Sequence, residues 1–144
     1  MWYTEARSPG GVIGCSLEEE IKEMLECIIV GIGGFLGSVC RYLIGLIPGK
    51  EGAVFPVRTF AINIVGAFVI GMIAALAAKN SVLNPKAVLF LKVGICGGFT
   101  TFSSFALETS DLLKSGHLSA AALYAVLSIV LGVLAAFAGE AVAG

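Results

Sequence analysis

The sequence predicts an all-α integral membrane protein with four transmembrane helices, the third of which is broken at its middle. Of the 144 residues, 58% are hydrophobic and only 13% are charged. Soluble domains carry about 25% charged residues, and an apolar surface of this extent would aggregate in water. A chain of this length has room for one domain. The remaining observations are four long apolar runs and a poor helix centre within the third.

Each of the four apolar runs is long enough to cross a membrane. A bilayer core about 30 Å thick requires about 20 apolar residues in a helix, and residues 27–47, 60–78, 87–113 and 118–138 meet this requirement. The connections between the runs are short, so the helices are expected to be antiparallel neighbours in one bundle. Residues 27–144 therefore form a single four-span domain.

Residues 1–26 are predicted to be an N-terminal extension. They have acidic and polar residues where a signal peptide would have a basic region followed by an apolar one. Residues 17–26 have the pattern of a short amphipathic helix lying at the membrane interface.

Basic residues give the chain no preferred orientation in the membrane. Excluding Lys92 within a span, four lie on each side: Arg7, Lys22, Lys79 and Lys86 against Arg41, Lys50, Arg58 and Lys114. The positive-inside rule then selects neither orientation. Chains inserted both ways can pair about a two-fold axis in the membrane plane, as inverted repeats do. The sequence therefore predicts an antiparallel, dual-topology homodimer.

The third span contains the segment GGFTTFSSF at its middle. Gly97, Gly98 and the β-branched pair Thr100 and Thr101 make a poor helix centre. Non-helical backbone at membrane depth is tolerated only where protein or a water-filled cavity satisfies its polar groups. A break at this point would also expose carbonyl oxygens. Two such breaks meeting on the axis of an antiparallel dimer could cage a monovalent cation.

Polar side chains in the spans point to a small anion. Asn63, Tyr124 and Ser128 form a lining that is rich in hydrogen-bond donors and predicted to be free of carboxylates. After the break, Phe102 and Phe105 project from one helix face, and the positive edges of their rings can attract an anion. Such a lining avoids a full positive charge that would hold the anion too tightly to conduct. Taken separately, a Phe pair at this spacing is more often a packing group, and a lone intramembrane Asn serves equally often to join helices by hydrogen bonds.

Three segments resemble those of the Fluc (CrcB) fluoride channels: GGFLGSVCRY, FPVRTFAINIVGAF and GICGGFTTFSSF. The resemblance runs from about residue 24 to the C-terminus. It implies a dual-topology homodimer in the cytoplasmic membrane, with two pores that export fluoride passively and a central structural sodium ion. By motif match, the fluoride pore would be lined by Asn63, Phe102, Phe105, Thr59, Thr101, Ser104, Tyr124 and Ser128. Gly97 and Thr100 would supply the carbonyls that hold sodium, and Arg41 would lie near a vestibule.

Arg58 departs from the family pattern, which has glycine at this position in many members. Its charge would lie near a pore mouth, or its side chain would extend to the lipid headgroups.

The main alternative to a channel is a small proton-coupled, dual-topology exporter. That mechanism needs an ionisable residue at mid-membrane, and spans one, two and four have no carboxylate there. An enzyme is disfavoured because no nucleophile–base pair or metal-ligand cluster is visible. The net charge of −1 offers no electrostatic footprint for nucleic acid.

Overall fold

The computed structural model describes residues 17–48, 53–79 and 83–144. These residues form four membrane-length helical segments: α1 (Leu17–Gly45), α2 (Val57–Ala78), a third segment Pro85–Lys114, and α5 (Leu118–Ala143). The third segment comprises α3 (85–99) and α4 (Phe102–Lys114). The predicted all-α, four-span architecture with a broken third span is confirmed, and the chain is a multi-pass membrane protein.

The first helix is longer than a membrane span. Its 29 residues extend about 43 Å at 1.5 Å per residue, against a bilayer core of about 30 Å. Residues 17–26 are helical, as predicted, but they form the first turns of α1 instead of a separate interfacial helix. The rest of the predicted extension, together with Arg7 and Lys50, lies outside the described residues.

The third span begins with an unusual helix. Asn84 caps its start, because its Oδ1 accepts the Lys86 backbone N–H at 2.9 Å. After one turn, residues Leu89–Cys96 form a π-helix, and Gly97–Phe99 return to α-helix before the break. π-Helical segments are rare and occur frequently at functional sites. No pattern in the amino-acid sequence predicts this one.

Glycines allow α1 to lie directly against the third span. A Cβ on Gly33 would lie 2.6 Å from the Phe90 carbonyl oxygen and 2.9 Å from the Gly94 Cα. A Cβ on Gly37 would collide with the Ile95 carbonyl oxygen. The GxxxG pair in α1 is therefore a packing seam, because small residues let helices approach closely where no hydrophobic force drives them together.

A second seam joins α2 to α5, which make the most extensive interhelical contact among the described elements. A Cβ on Gly71 would collide with the Ala136 carbonyl oxygen, and one on Gly139 with that of Phe68. The first seam packs the broken span against α1, and the second packs α2 against α5. Gly66 of α2 faces the break itself, where a Cβ would collide with the Thr100 methyl group.

Candidate functional site

The break in the third span consists of two extended residues. Thr100 (φ −76°, ψ 156°) and Thr101 (φ −149°, ψ 108°) separate Phe99, the last residue of α3, from Phe102, the first of α4. Thr101 then caps α4, because its Oγ1 accepts the Ser104 backbone N–H at 3.2 Å. The same hydroxyl donates to Ser104 Oγ at 3.0 Å. Thr101 and Ser104, both predicted site residues, thus form one hydrogen-bonded unit at the start of α4.

Asn63 of α2 clamps the break through its side-chain amide. Its Oδ1 accepts the Thr101 backbone N–H at 2.8 Å, and its Nδ2 donates to the Thr101 carbonyl oxygen at 3.2 Å. The backbone N–H and carbonyl group of Thr101 are thereby both hydrogen-bonded at membrane depth, where an unpaired backbone group costs several kcal/mol. One Nδ2 proton remains for another acceptor. Asn63 therefore stabilises the backbone of the break and also lies beside it.

These caps change which carbonyl groups of the break have donors. In a continuous helix, the Gly97 carbonyl would accept from Thr101 N–H and the Thr100 carbonyl from Ser104 N–H. In the structure, Thr101 N–H is donated to Asn63 and Ser104 N–H to the Thr101 hydroxyl. The carbonyl oxygens of Gly97 and Thr100 are therefore released from the helical pattern. These are the two residues to which the family resemblance assigns a cation.

Arg41 holds the other side of the break. Its Nε–H donates to the Gly98 carbonyl oxygen at 3.1 Å, and Ser38 Oγ approaches the same oxygen at 3.4 Å. The half-buried Arg41 is thus bound to the backbone of α3 as well as lying near a mouth. Its two terminal NH2 groups make no hydrogen bond to the residues that the structure describes.

The two phenylalanines lie side by side at the start of α4. Their ring centroids are 5.6 Å apart with an interplanar angle of 44°. Phe105 also contacts the Tyr124 ring at 5.1 Å and packs against a small core containing Leu112 and Ala121. Phe102 differs, because 80% of its surface is exposed in the single protomer. Phe105 is therefore positioned by the fold of one chain, whereas one chain leaves Phe102 largely uncovered.

A carboxylate joins two of the predicted lining residues. Glu108 Oε1 accepts from the Thr59 hydroxyl at 2.6 Å, and Oε2 accepts from the Tyr124 hydroxyl at 2.7 Å. The expectation of a carboxylate-free lining is therefore wrong. The spacing contained a signal, because Thr101, Ser104 and Glu108 are three and four residues apart and share a face of α4.

Ser128 lies one turn beyond Tyr124 on α5. Its Oγ is buried and has no hydrogen-bond partner within the described part of the chain. A buried hydroxyl left unpaired costs about 1–3 kcal/mol. Its proton is therefore free for an acceptor that enters the interior of the protomer, such as a small ion.

A cavity of about 500 Å³ brings several of these groups together. Its lining includes four predicted site residues, namely Arg41, Thr59, Thr101 and Ser104, and adds Ser38, Arg58 and Glu108. The cavity extends from the end of α1 to the break. Phe102 and Gly97 are not among its described lining residues and are instead exposed on the protomer surface.

A four-span protein with polar groups gathered at a mid-membrane break has the features of a small membrane channel or transporter. The family model described as "CrcB-like protein, Camphor Resistance (CrcB)" matches residues 28–140. The chain belongs to this CrcB family.

Similar proteins of three bacteria share the name "Fluoride-specific ion channel FluC". The protein of Chlorobium chlorochromatii is 47% identical over 119 residues, which cover 83% of this chain and 92% of the relative. That of Chlorobaculum tepidum is 44% identical over 120 residues, covering 83% and 95%. That of Nitrobacter winogradskyi is 48% identical over 113 residues, covering 78% and 90%. The predicted family is confirmed.

Proposed function

We propose that this protein is a fluoride-selective ion channel of the cell membrane, through which fluoride leaves the cell passively and its intracellular level falls. The observation that carries the proposal is the break itself, where a helix begins at membrane depth beside two phenylalanines. A helix N-terminus carries about half a positive charge and offers free N–H groups to an anion. It attracts fluoride without the fixed full charge that would prevent its release.

The lining residues divide by the kind of contact they offer. Thr59, Thr101, Ser104, Tyr124 and Ser128 contribute hydroxyl groups. The Thr59 and Tyr124 protons are donated to Glu108 and the Thr101 proton to Ser104, so the Ser104 and Ser128 hydroxyls and the remaining Asn63 amide proton are the donors left for an anion. Phe102 and Phe105 contribute ring edges, which carry partial positive charge. Hydroxyl and amide donors suit a small, hard anion, because they replace part of its hydration shell without an ion pair.

A proton-coupled exporter is the second candidate, and Glu108 is the observation in its favour. This carboxylate lines the cavity beside the break, and an ionisable group in a span is a common proton carrier. Here both of its oxygens accept hydrogen bonds from hydroxyl groups. Glu108 can thereby orient Thr59 and Tyr124, a role that needs no proton exchange.

Ion efflux from liposomes separates these functions. Purified protein in liposomes loaded with potassium fluoride is expected to release fluoride rapidly once valinomycin allows potassium to follow. Liposomes loaded with potassium chloride are expected to release negligible chloride, because chloride is larger and binds hydrogen-bond donors less strongly. Equal permeation of the two anions would contradict selectivity. Fluoride movement that requires an imposed proton gradient would favour the exporter.

We further propose that the working unit is an antiparallel, dual-topology homodimer with two pores. The exposed ring of Phe102 supports this, because 80% of its surface is uncovered in one protomer although it lies at the membrane-depth break. A second chain would enclose the ring and complete each pore. The even distribution of basic residues permits both orientations.

We also propose that sodium binds on the axis of this dimer through the carbonyl oxygens of Gly97 and Thr100. Both carbonyls have lost their helical donors to Asn63 and Thr101, and alkali cations prefer oxygen ligands of this kind. Gly97 is exposed, and a Cβ there would meet nothing within 4 Å, so another chain can approach it. A bound cation would supply a fixed positive charge close to the anion path.

Native mass spectrometry tests the dimer and its cation together. Protein purified in sodium and transferred to ammonium acetate is expected to give twice the mass of the chain plus one sodium ion. Protein prepared throughout in N-methylglucamine salts is the control and should lack the added mass. A monomer mass would contradict the dimer, and a dimer without sodium would contradict the cation site.

Labelling of Lys114→Cys by an impermeant reagent, in a background without other cysteines, should reach about half of the chains from each side.

A further inference from the structure

Arg58, the second residue of α2, is fixed against the end of α1. Its Nη1 donates to the carbonyl oxygen of Gly45, the last residue of that helix, at 2.9 Å. The last carbonyl groups of a helix have no intrahelical donor and carry the negative end of its dipole, so a cation there is stabilised. The bond therefore holds the exposed guanidinium on the cavity wall, although a long side chain could otherwise extend into the lipid headgroup region.

The charge of Arg58 decides the electrostatic balance of the cavity. Among the described lining residues, the charged groups are Arg41, Arg58 and Glu108. Two cations and one carboxylate leave an excess of one positive charge. Without Arg58, one cation would face one carboxylate, and the lining would have no net charge.

The same side chain retains donors for an anion. A guanidinium has five N–H donors, and the bond to Gly45 uses one of them. Arg41 commits its Nε–H to Gly98, which leaves its terminal groups facing the same space. Because Arg58 is exposed to solvent, its attraction for an ion is moderated by water, and the ion can exchange.

We propose that Arg58 is an anion-capture residue, which makes this mouth net positive and concentrates fluoride in the cavity that leads to Thr101 and Ser104. The inference rests on the proposed function and adds to it a residue outside the pore lining. Electrostatic capture raises the rate at which ions arrive and falls steeply with ionic strength. A bond that only holds α1 to α2 would have no such dependence on salt.

The test compares variants that separate charge from hydrogen bonding. Arg58→Gln keeps a donor for Gly45 and loses the charge, whereas Arg58→Lys keeps the charge. Lys114→Gln is the matched control, because Lys114 lies on the same membrane face, is 72% exposed and does not line the cavity. Initial fluoride efflux is measured at about 10 mM and about 500 mM ionic strength, with osmolarity held constant. The corresponding Debye lengths are about 30 Å and less than about 8 Å.

At low ionic strength, Arg58→Gln is expected to reduce the initial rate about tenfold, at the lower end of the range of electrostatic steering because the guanidinium is exposed to solvent. Arg58→Lys and Lys114→Gln should keep the wild-type rate, and at high ionic strength all four proteins should converge. The proposal is overturned by a wild-type rate in Arg58→Gln at low salt, by a deficit that persists at high salt, or by an equal loss in Arg58→Lys or Lys114→Gln. Absence of fluoride efflux from the wild-type protein would overturn the channel function itself and this inference with it.

Discussion

Replacement of Asn63 by aspartate is expected to abolish fluoride efflux. The aspartate can still accept the Thr101 N–H, but it loses the Nδ2 donor and places a carboxylate oxygen against the Thr101 carbonyl. A negative charge within about 4 Å of the anion path opposes fluoride by about 4 kcal/mol at an effective dielectric constant of about 20. Since about 1.4 kcal/mol is a factor of ten in rate, the efflux rate should fall at least about a hundredfold.

Asn84 provides a matched control for this substitution. Its Oδ1 also accepts a backbone N–H, from Lys86 at 2.9 Å, but Asn84 is exposed and its amide donates no hydrogen bond within the described part of the chain. Asn84→Asp should therefore keep both the helix cap and the wild-type efflux rate. Size-exclusion chromatography must show that Asn63→Asp still assembles as the wild-type protein does. Wild-type efflux from an assembled Asn63→Asp protein would place Asn63 outside the pore.

The architecture could be read from the sequence because the membrane imposes a length and a polarity on each helix. The four apolar runs needed no tertiary information, since a span of about 20 apolar residues has few other uses. The break was also visible, because glycines and β-branched residues at the centre of a span weaken the helix locally. The close approaches at Gly33 and Gly71 also follow from a local pattern, because small residues recur at helical spacing in α1 and α2.

The hydrogen bonds of the site could not be predicted from the sequence in the same way. Asn63 and Thr101 are 38 residues apart, and Thr59 and Glu108 are 49 apart. Such pairs depend on the packing of α2 against α4. A single sequence contains no local pattern that predicts this packing. Glu108 follows the apolar core of its span, and its hydrogen bonds to two hydroxyl groups place it in the cavity. The π-helix, which contacts Gly33 and Gly37 of α1, was not predicted.

Substitution of either phenylalanine by isoleucine is expected to reduce fluoride efflux by up to about tenfold, because each removes a positively polarised ring edge, and contacts of aromatic rings are worth about 0.5–1.5 kcal/mol. Isoleucine retains an apolar side chain of similar bulk, so the change tests the ring and not hydrophobicity. The two variants should differ in stability. Phe105→Ile loses the ring contact with Tyr124 at 5.1 Å, which costs about 0.5–1.5 kcal/mol beyond buried area.

Phe102→Ile should leave the fold of the protomer unchanged, because the ring is 80% exposed there. Phe137→Ile is the control, since its ring is 63% exposed on α5, far along the chain from the break. That variant should match the wild-type protein in efflux rate. Thermal unfolding in detergent and initial efflux rates, measured on all three variants, separate the two effects.

Loss of efflux with unchanged stability in Phe102→Ile would assign this ring to conduction, because packing within one protomer does not depend on it. Unchanged efflux in both Phe102→Ile and Phe105→Ile would remove the ring edges from the mechanism and leave anion selectivity to the hydroxyl and amide donors around the break.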